Sequence, residues 1–341
     1  MGARGGHRRR RLPPHPPHRV REPLRAGLAR RFPYREPVPE LSILTVHAHP
    51  DDESSKGPAT IARYHAEGVR TTLVTCTGGE EGDILNPAMD LPGVKERLPE
   101  LRREELAEAA RVIGYDEVVW LGYRDSGMPE SPANADPRCF ARAPLEEAVG
   151  RLVAAVRAAR PQVMVAYGPD QKGYPHPDHL RVHDVAVEAF DAAADPDRYP
   201  EAGPAWAPDR LYYVGWSAGR SRAIHEKFLE LGRPSPFEGE RLERLLQAPE
   251  RPADAPEPTV VDVHGFTAVR RLGLLAHRTQ VDPESPHWFG LPPEIADELY
   301  PLDEYELGRS RVTPSGEGGD DLFAGLRDGT AVRADGVGSR A

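Results

Sequence analysis

The eleven residues from Ile43 to Glu53 read I-L-T-V-H-A-H-P-D-D-E, and no other stretch limits the fold as strongly. An apolar run rich in β-branched residues (Ile43, Thr45, Val46) passes without a spacer into two histidines, a proline and three carboxylates. The first half fits a buried strand and the second a polar, metal-philic tip. Asp52 follows His49 by three residues, with Pro50 forcing a turn between them. Both side chains can therefore meet at one point while Asp51 points elsewhere. That arrangement offers two ligands and one free base.

A second cluster supplies what the first lacks. Residues 163–167 form another short apolar run, and beyond a glycine-bearing loop comes Y-P-H-P-D-H, Tyr174 to His179. A catalytic zinc site keeps three protein ligands and a fourth position for water, so His49 and Asp52 with either His176 or His179 complete a shell. The other imidazole then stands behind the ligands, and Asp178 can hold an imidazole in its useful tautomer. Each cluster alone also reads as a solvated loop or a helix cap. Together, at two strand ends, they favour a metal. The pKa of zinc-bound water falls toward neutrality, Asp51 can take its proton, and a protonated His176 with the Tyr174 hydroxyl can stabilise the resulting oxyanion. The expected chemistry is metal-assisted amide hydrolysis. A His/Asp/His site selects weakly between metals, which keeps Fe2+ beside Zn2+.

Around these clusters the chain repeats one unit. Residues 54–67 predict a helix stopped by Gly68, and 69–75 a second strand. Strand, helix, strand implies a right-handed crossover and a parallel sheet covered by helices, so the fold class is α/β. Helices are expected over 99–113, 145–160 and 180–193, and strands over 118–121 and 162–167. The glycine-rich loop 77–83 lacks the lysine and the Ser/Thr of a phosphate loop and carries carboxylates that repel phosphate. Beyond residue 200 we expect strands at 209–214 and 260–263, helices at 222–231, 267–276 and 302–311, and a proline-rich linker at 248–258. Residues 41–200 then make the catalytic core and 201–312 its remainder plus a smaller cap over the substrate. A glycine-rich, flexible tail follows from 313.

Composition narrows the partners. No segment approaches membrane-spanning length, and Cys76 and Cys139 are too few for a disulfide framework, which favours a reducing cytoplasm. Residues 1–40 hold eleven Arg and three Glu, or +8, against a total of −10, which leaves −18 for the rest. Their eight prolines predict a disordered extension. The acidic remainder repels a phosphate backbone, so no nucleic acid is expected. The sequence leaves oligomeric state open, a monomer included.

H-A-H-P-D-D-E-S-S-K-G, T-G-G-E-E-G-D-I-L-N-P-A-M-D and G-Y-P-H-P-D-H together resemble the LmbE-like zinc deacetylases, and within them the amidases that cleave mycothiol S-conjugates. The likeness runs from about residue 41 to 311 and is weakest over 215–260. It implies a Rossmann-like sheet, zinc on His49, Asp52 and His179, Asp51 as general base, and His176 and Tyr174 on the oxyanion. It also implies a small-molecule mycothiol conjugate as substrate. Lys56, at i+4 from Asp52, projects toward the same mouth, and by resemblance such a lysine accompanies the amidases rather than the sister deacetylases. Glu81, Arg102, Asp125 and His277 resemble positions that contact sugar and inositol hydroxyls. Gln171 and Lys172 depart from the smaller residues expected before Gly173.

Overall fold

The computed structural model describes residues 41–170, 174–249 and 256–334. The extension 1–40, the departure at Gln171 and Lys172, and most of the 248–258 linker lie outside them. Five strands run parallel: β1 (Ser42–His47), β2 (Arg70–Thr77), β3 (Glu117–Tyr123), β4 (Val163–Ala166) and β5 (Arg210–Val214). Two more, β6 (Thr259–Asp262) and β7 (Leu302–Ser310), complete the sheet, with β7 antiparallel to both β5 and β6. The order across the sheet is β3-β2-β1-β4-β5-β7-β6. The helices are α1 (Asp52–Ser55), α2 (Pro58–Ala66), α3 (Leu98–Ile113), α4 (Leu145–Ala159), α5 (Pro177–Ala192), α6 (Ala218–Glu230), α7 (Gly239–Gln247), α8 (Ala268–Ala276), α9 (Pro286–Phe289) and α10 (Pro293–Leu299).

Every residue of β1 is buried, because the strand is covered on both faces. Alternation sends Leu44 and Val46 into the core with Val149, Leu152 and Val153 of α4 and Val182 and Val185 of α5. Ile43 points the other way, into a second core with Ile61 and Tyr64 of α2 and Ile113 of α3. The sheet is thus an α/β layer with helices on each face, as the repeating unit implies. From β1 the chain winds outward to β2 and β3, then returns past β1 to β4 and β5. The order reverses between β1 and β4, where an open α/β sheet leaves a crevice at its carboxyl edge. Both motifs emerge there.

Three expectations need correction. The helix over 54–67 begins at Asp52 and breaks at Gly57, whose positive φ of 77° caps α2. Any Cβ at Gly57 would collide with the Tyr305 hydroxyl. The helix expected over 302–311 is strand β7 over 302–310: Tyr305 pairs with both Val214 and Thr259 across the sheet, and that pairing overrides the helix propensity of its Glu and Leu residues. The supposed loose tail is packed as far as residue 334. Phe323 is fully buried, with its ring 5.2 Å from that of Tyr64. The Arg210 guanidinium donates to the carbonyls of Pro314, Leu322 and Ala324 at 2.6–2.9 Å. Among the described residues no helix is long and apolar enough to cross a membrane.

Because Phe323 closes the second core, Phe323→Ala should lower stability by about 3–5 kcal/mol. Urea unfolding would show this as a lower midpoint at unchanged slope. A shift within about 0.5 kcal/mol, as for a surface residue, would return the segment to a loose tail.

Candidate active site

The turn after β1 carries His49, Pro50, Asp51 and Asp52, and Asp52 opens α1. The turn after β4 leads to His176, which caps α5 by accepting the Asp178 amide on Nδ1 at 3.2 Å, with Pro177 at the first helical position. His49, Asp52, His176, Asp178 and His179 are all less than 9% exposed. His49, Asp52 and His179 each offer a ligand atom within 4.8 Å of the others.

Oδ2 of Asp52 lies 3.5 Å from His49 Nδ1 and 3.4 Å from His179 Nε2, while Oδ1 takes the Lys56 ammonium. One carboxylate oxygen therefore faces both imidazoles. On its far side His49 Nε2 meets Asp178 Oδ2 at 3.2 Å. A carboxylate only accepts, so that contact keeps a proton on Nε2 and turns Nδ1 toward the triad, the carboxylate–histidine arrangement of metal sites. Among the described residues neither ring nitrogen of His179 makes a hydrogen bond, although both are buried.

An orphaned imidazole beside a carboxylate is what a divalent cation resolves, and a two-His, one-Asp set suits zinc. A second group, His49, Asp125, His176 and Asp178, also lies within ligand range. Its carboxylates are already engaged, however: Asp178 by the Ser126 amide and hydroxyl, and Asp125 by the Gly127 amide at 2.8 Å. Asp52 is engaged too, by Lys56 and by the His49 amide at 3.0 Å, so what marks the first set is His179, whose ring nitrogens make no hydrogen bond among the described residues.

Electrostatics agree with a cation there. Burial opposes charge on His49, yet Asp125, Asp178 and Asp52 hold its pKa well above the usual imidazole value. The cluster carries surplus negative charge. Burial also works against the Asp52 carboxylate, but Lys56 and His179 keep its pKa well below the ordinary range. His176 shifts the other way, down to about 4, through burial and the neighbouring His49. It is a neutral imidazole, contrary to the protonated form expected, and its donor is Nε2–H.

Asp51 is held in an unusual backbone state, φ 99°, left-handed for a non-glycine residue. Glu53 Oε2 accepts its amide at 2.9 Å, and Arg102 donates to its Oδ2 at 2.9 Å and to the Pro50 carbonyl. Burial raises the Asp51 pKa and Arg102 opposes the rise, which leaves the carboxyl a stronger base than a free aspartate. Tyr174 is 52% exposed and stands at the mouth, its ring 5.8 Å from that of His176 and 5.1 Å from that of His179.

The residues assigned to sugar contacts sit differently. Arg102 and Asp125 are buried, and their polar atoms face Pro50, Gly79, Asp51, Gly127 and His49. His277 is fully buried and bonded through Nε2 to Glu53 Oε1 at 2.7 Å. Arg102 and His277 thus brace the Asp51 loop, directly and through Glu53, while Asp125 stands among the histidines, 3.5 Å from His49 Nε2. Glu81 stays partly exposed and pairs with Arg124 at 2.6 Å.

Glu53, Ser126 and Tyr167 were not assigned roles from sequence. Glu53 stands in the first motif, Ser126 in the polar loop after β3, and Tyr167 just past β4, its ring tilted against that of His179 at 4.8 Å. Position at a strand tip was the available signal for all three.

A family model described as GlcNAc-PI de-N-acetylase (PIG-L) matches residues 44–190. The mycothiol S-conjugate amidase of Streptomyces coelicolor is 44% identical over 303 residues, covering 85% of this chain and 98% of its own. The chain belongs to this family. A 1D-myo-inositol 2-acetamido-2-deoxy-alpha-D-glucopyranoside deacetylase of Geodermatophilus obscurus is 40% identical over 85% of this chain and 99% of its own. Among solved structures, the N,N'-diacetylchitobiose deacetylase of Pyrococcus horikoshii superposes with a TM-score of 0.51 at 18% identity, over 83% of this chain and 85% of its own, and shares the fold. Relatives of both kinds hydrolyse amides, and this chain is an enzyme of that class.

Two outcomes test this geometry. Asp178→Asn should weaken zinc binding about 10–100-fold in a chelator competition, since it removes the negative charge and one of the two acceptor oxygens that Ser126 and His49 share. The Glu53–His277 pair should give a pH signature. His277 is raised above its ordinary 6.5, so its contribution is complete below that value and fades as pH climbs through the folded pKa. Glu53 is lowered from 4.5, so its share is present above 4.5 and fades as pH drops. The stability gap between wild type and His277→Gln should be widest between those values and close toward alkaline pH, read by urea midpoints across a pH series.

Proposed function

We propose that this chain is a zinc amidase that hydrolyses S-conjugates of mycothiol in the cytoplasm, releasing an N-acetylcysteine S-conjugate and glucosaminyl-inositol. The observation that carries the reading is the meeting of His49, Asp52 and His179, next to Asp51, whose carboxylate Arg102 holds. A divalent ion on those three residues supplies Lewis acidity and lowers the pKa of water toward neutrality. Asp51, gripped by Arg102, accepts the proton of the attacking water and returns it to the leaving amine nitrogen. Tyr174 Oη–H and His176 Nε2–H donate to the oxyanion that forms as the amide carbonyl is attacked, each worth a few kcal/mol in the transition state. Asp178 keeps His49 in its ligating tautomer. Lys56 caps the second oxygen of Asp52, which leaves one oxygen to the triad. Glu81 at the rim remains available to substrate hydroxyls.

Support for the conjugate branch comes from the 44% identical amidase and from Lys56 beside Asp52. The second reading is deacetylation of N-acetylglucosaminyl-inositol, favoured by relatives of that name at 40% identity. Both need the same machinery and differ in the acyl group removed.

The bimane conjugate of mycothiol, offered to purified protein, should be cleaved, lose turnover on chelation and regain it with zinc. Asp51→Asn should lower kcat about 10²–10⁴-fold. Faster turnover of N-acetylglucosaminyl-inositol than of the conjugate would select the second reading, and turnover insensitive to chelation would overturn both.

A further inference from the structure

A second cavity lies along the same sheet edge, and none of the metal-site residues lines it. Its volume is about 190 Å³, and its wall includes Trp216, Phe228, Phe237 and Trp288. Trp216 follows β5, Val263 follows β6, and Tyr300 and Asp303 flank the start of antiparallel β7, so all of them emerge at the carboxyl edge of the parallel strands. Helix α8 borders both places: Arg270, Arg271 and Leu274 line the cavity, while His277 at its end reaches Glu53.

The charge balance of this cavity is uneven. Four guanidinia (Arg220, Arg241, Arg270 and Arg271) face it, against the carboxylates of Asp297 and Asp303. Asp303 is already engaged, accepting from the Thr60 amide and hydroxyl at 3.2 and 2.9 Å and pairing with Arg220 at 3.4 Å. Among the described residues Arg270 has no carboxylate within ion-pair distance. It lies over Trp216 at 4.6 Å and Trp288 at 5.9 Å. Burial and the nearby Arg220 push its pKa down to about 9, so it remains charged at neutral pH. Nε of Arg271 is buried without a partner. A shielded, unpaired cation costs stability unless something compensates it. Guanidinia between indole faces suit a planar acid on a flat apolar body, since such a group pairs with the fork and stacks on the rings.

We propose that this cavity binds a small organic anion of the aromatic carboxylate type, its acid on Arg270 and Arg271 and its ring against Trp216 and Trp288. The anion is either borne by the thiol substituent of the substrate or product, or is a separate molecule; the chemistry of recognition is the same. The site itself stands independently of the substrate proposed above; only its assignment to the conjugate rests on that reading.

Sodium 2-naphthoate tests it on the whole, metal-loaded chain. The protein has four tryptophans, two of them in this cavity. The acid should quench tryptophan fluorescence saturably and raise Tm, and 2-naphthamide should bind at least tenfold more weakly. Arg270→Met should weaken naphthoate binding at least tenfold, while its own ligand-free Tm equals or exceeds that of wild type. Arg270→Lys, which keeps the charge but loses the fork, should fall between. Competitive inhibition of conjugate hydrolysis by naphthoate would assign the anion to the substrate, and binding without effect on the rate would assign it to a separate ligand; either upholds the site. No saturable binding, or equal affinity of wild type and Arg270→Met, would overturn it. So would a lowered Tm in Arg270→Met with naphthoate binding retained.

Discussion

His49 and Asp178 are separated by 129 residues and meet at 3.2 Å. That bond joins the tip of β1 to the tip of β4 at the point where the sheet order reverses, and the rest of the site is arranged around it. Asp178 is in turn fixed by Ser126 from the loop after β3, so three strand ends are locked together through one carboxylate. Its energetic meaning lies in the company it keeps. Asp51, Asp52, Glu53, Asp125 and Asp178 crowd a region where Lys56 and Arg102 are the permanent cations. Such a cluster of like charges is held in place by the surrounding fold rather than formed for its own stability, and its charge suits a cation.

The base is supported by a second, deeper layer. Asp51 occupies a left-handed backbone conformation that costs about 1–3 kcal/mol and persists only where neighbours over-determine it. Here they do, since Glu53 takes its amide, Arg102 takes its carboxylate and the preceding carbonyl, and His277 anchors Glu53 from α8. A helix entering from the far end of the chain thus tensions the loop that carries the chemistry. This explains why residues expected to touch sugar hydroxyls are buried: the charged groups near an active site divide between those that meet substrate and those that restrain the groups that do.

Sequence patterns conveyed the parallel core and the two polar clusters well because both rest on short-range information. Strand β1 and its H-A-H-P-D-D tip are contiguous, and His176, Asp178 and His179 fall within four residues. What could not be read depends on contacts distant in sequence. Arg102 lies on a helix whose buried face was placed correctly, but nothing local reveals that its guanidinium runs inward to Pro50 and Asp51. Glu53 looked like one more acid in an acidic turn until His277 arrived from 224 residues away. Residues 302–310 carry helix-forming side chains and became a strand because β5 and β6 both pair with them. The arginine-lined cavity, assembled from the ends of three strands and the helices after them, has no motif at all.

The placement of β7 also bears on how the molecule is made. It lies between β5 and β6, yet it is the last of the seven to leave the ribosome. While translation proceeds, β6 has no neighbour to pair with and the flank of β5 stays open, an unpaired edge of the kind that invites association with other chains. The nascent polypeptide can assemble its catalytic half early, but the sheet closes only when this final strand slides into a gap already framed on both sides.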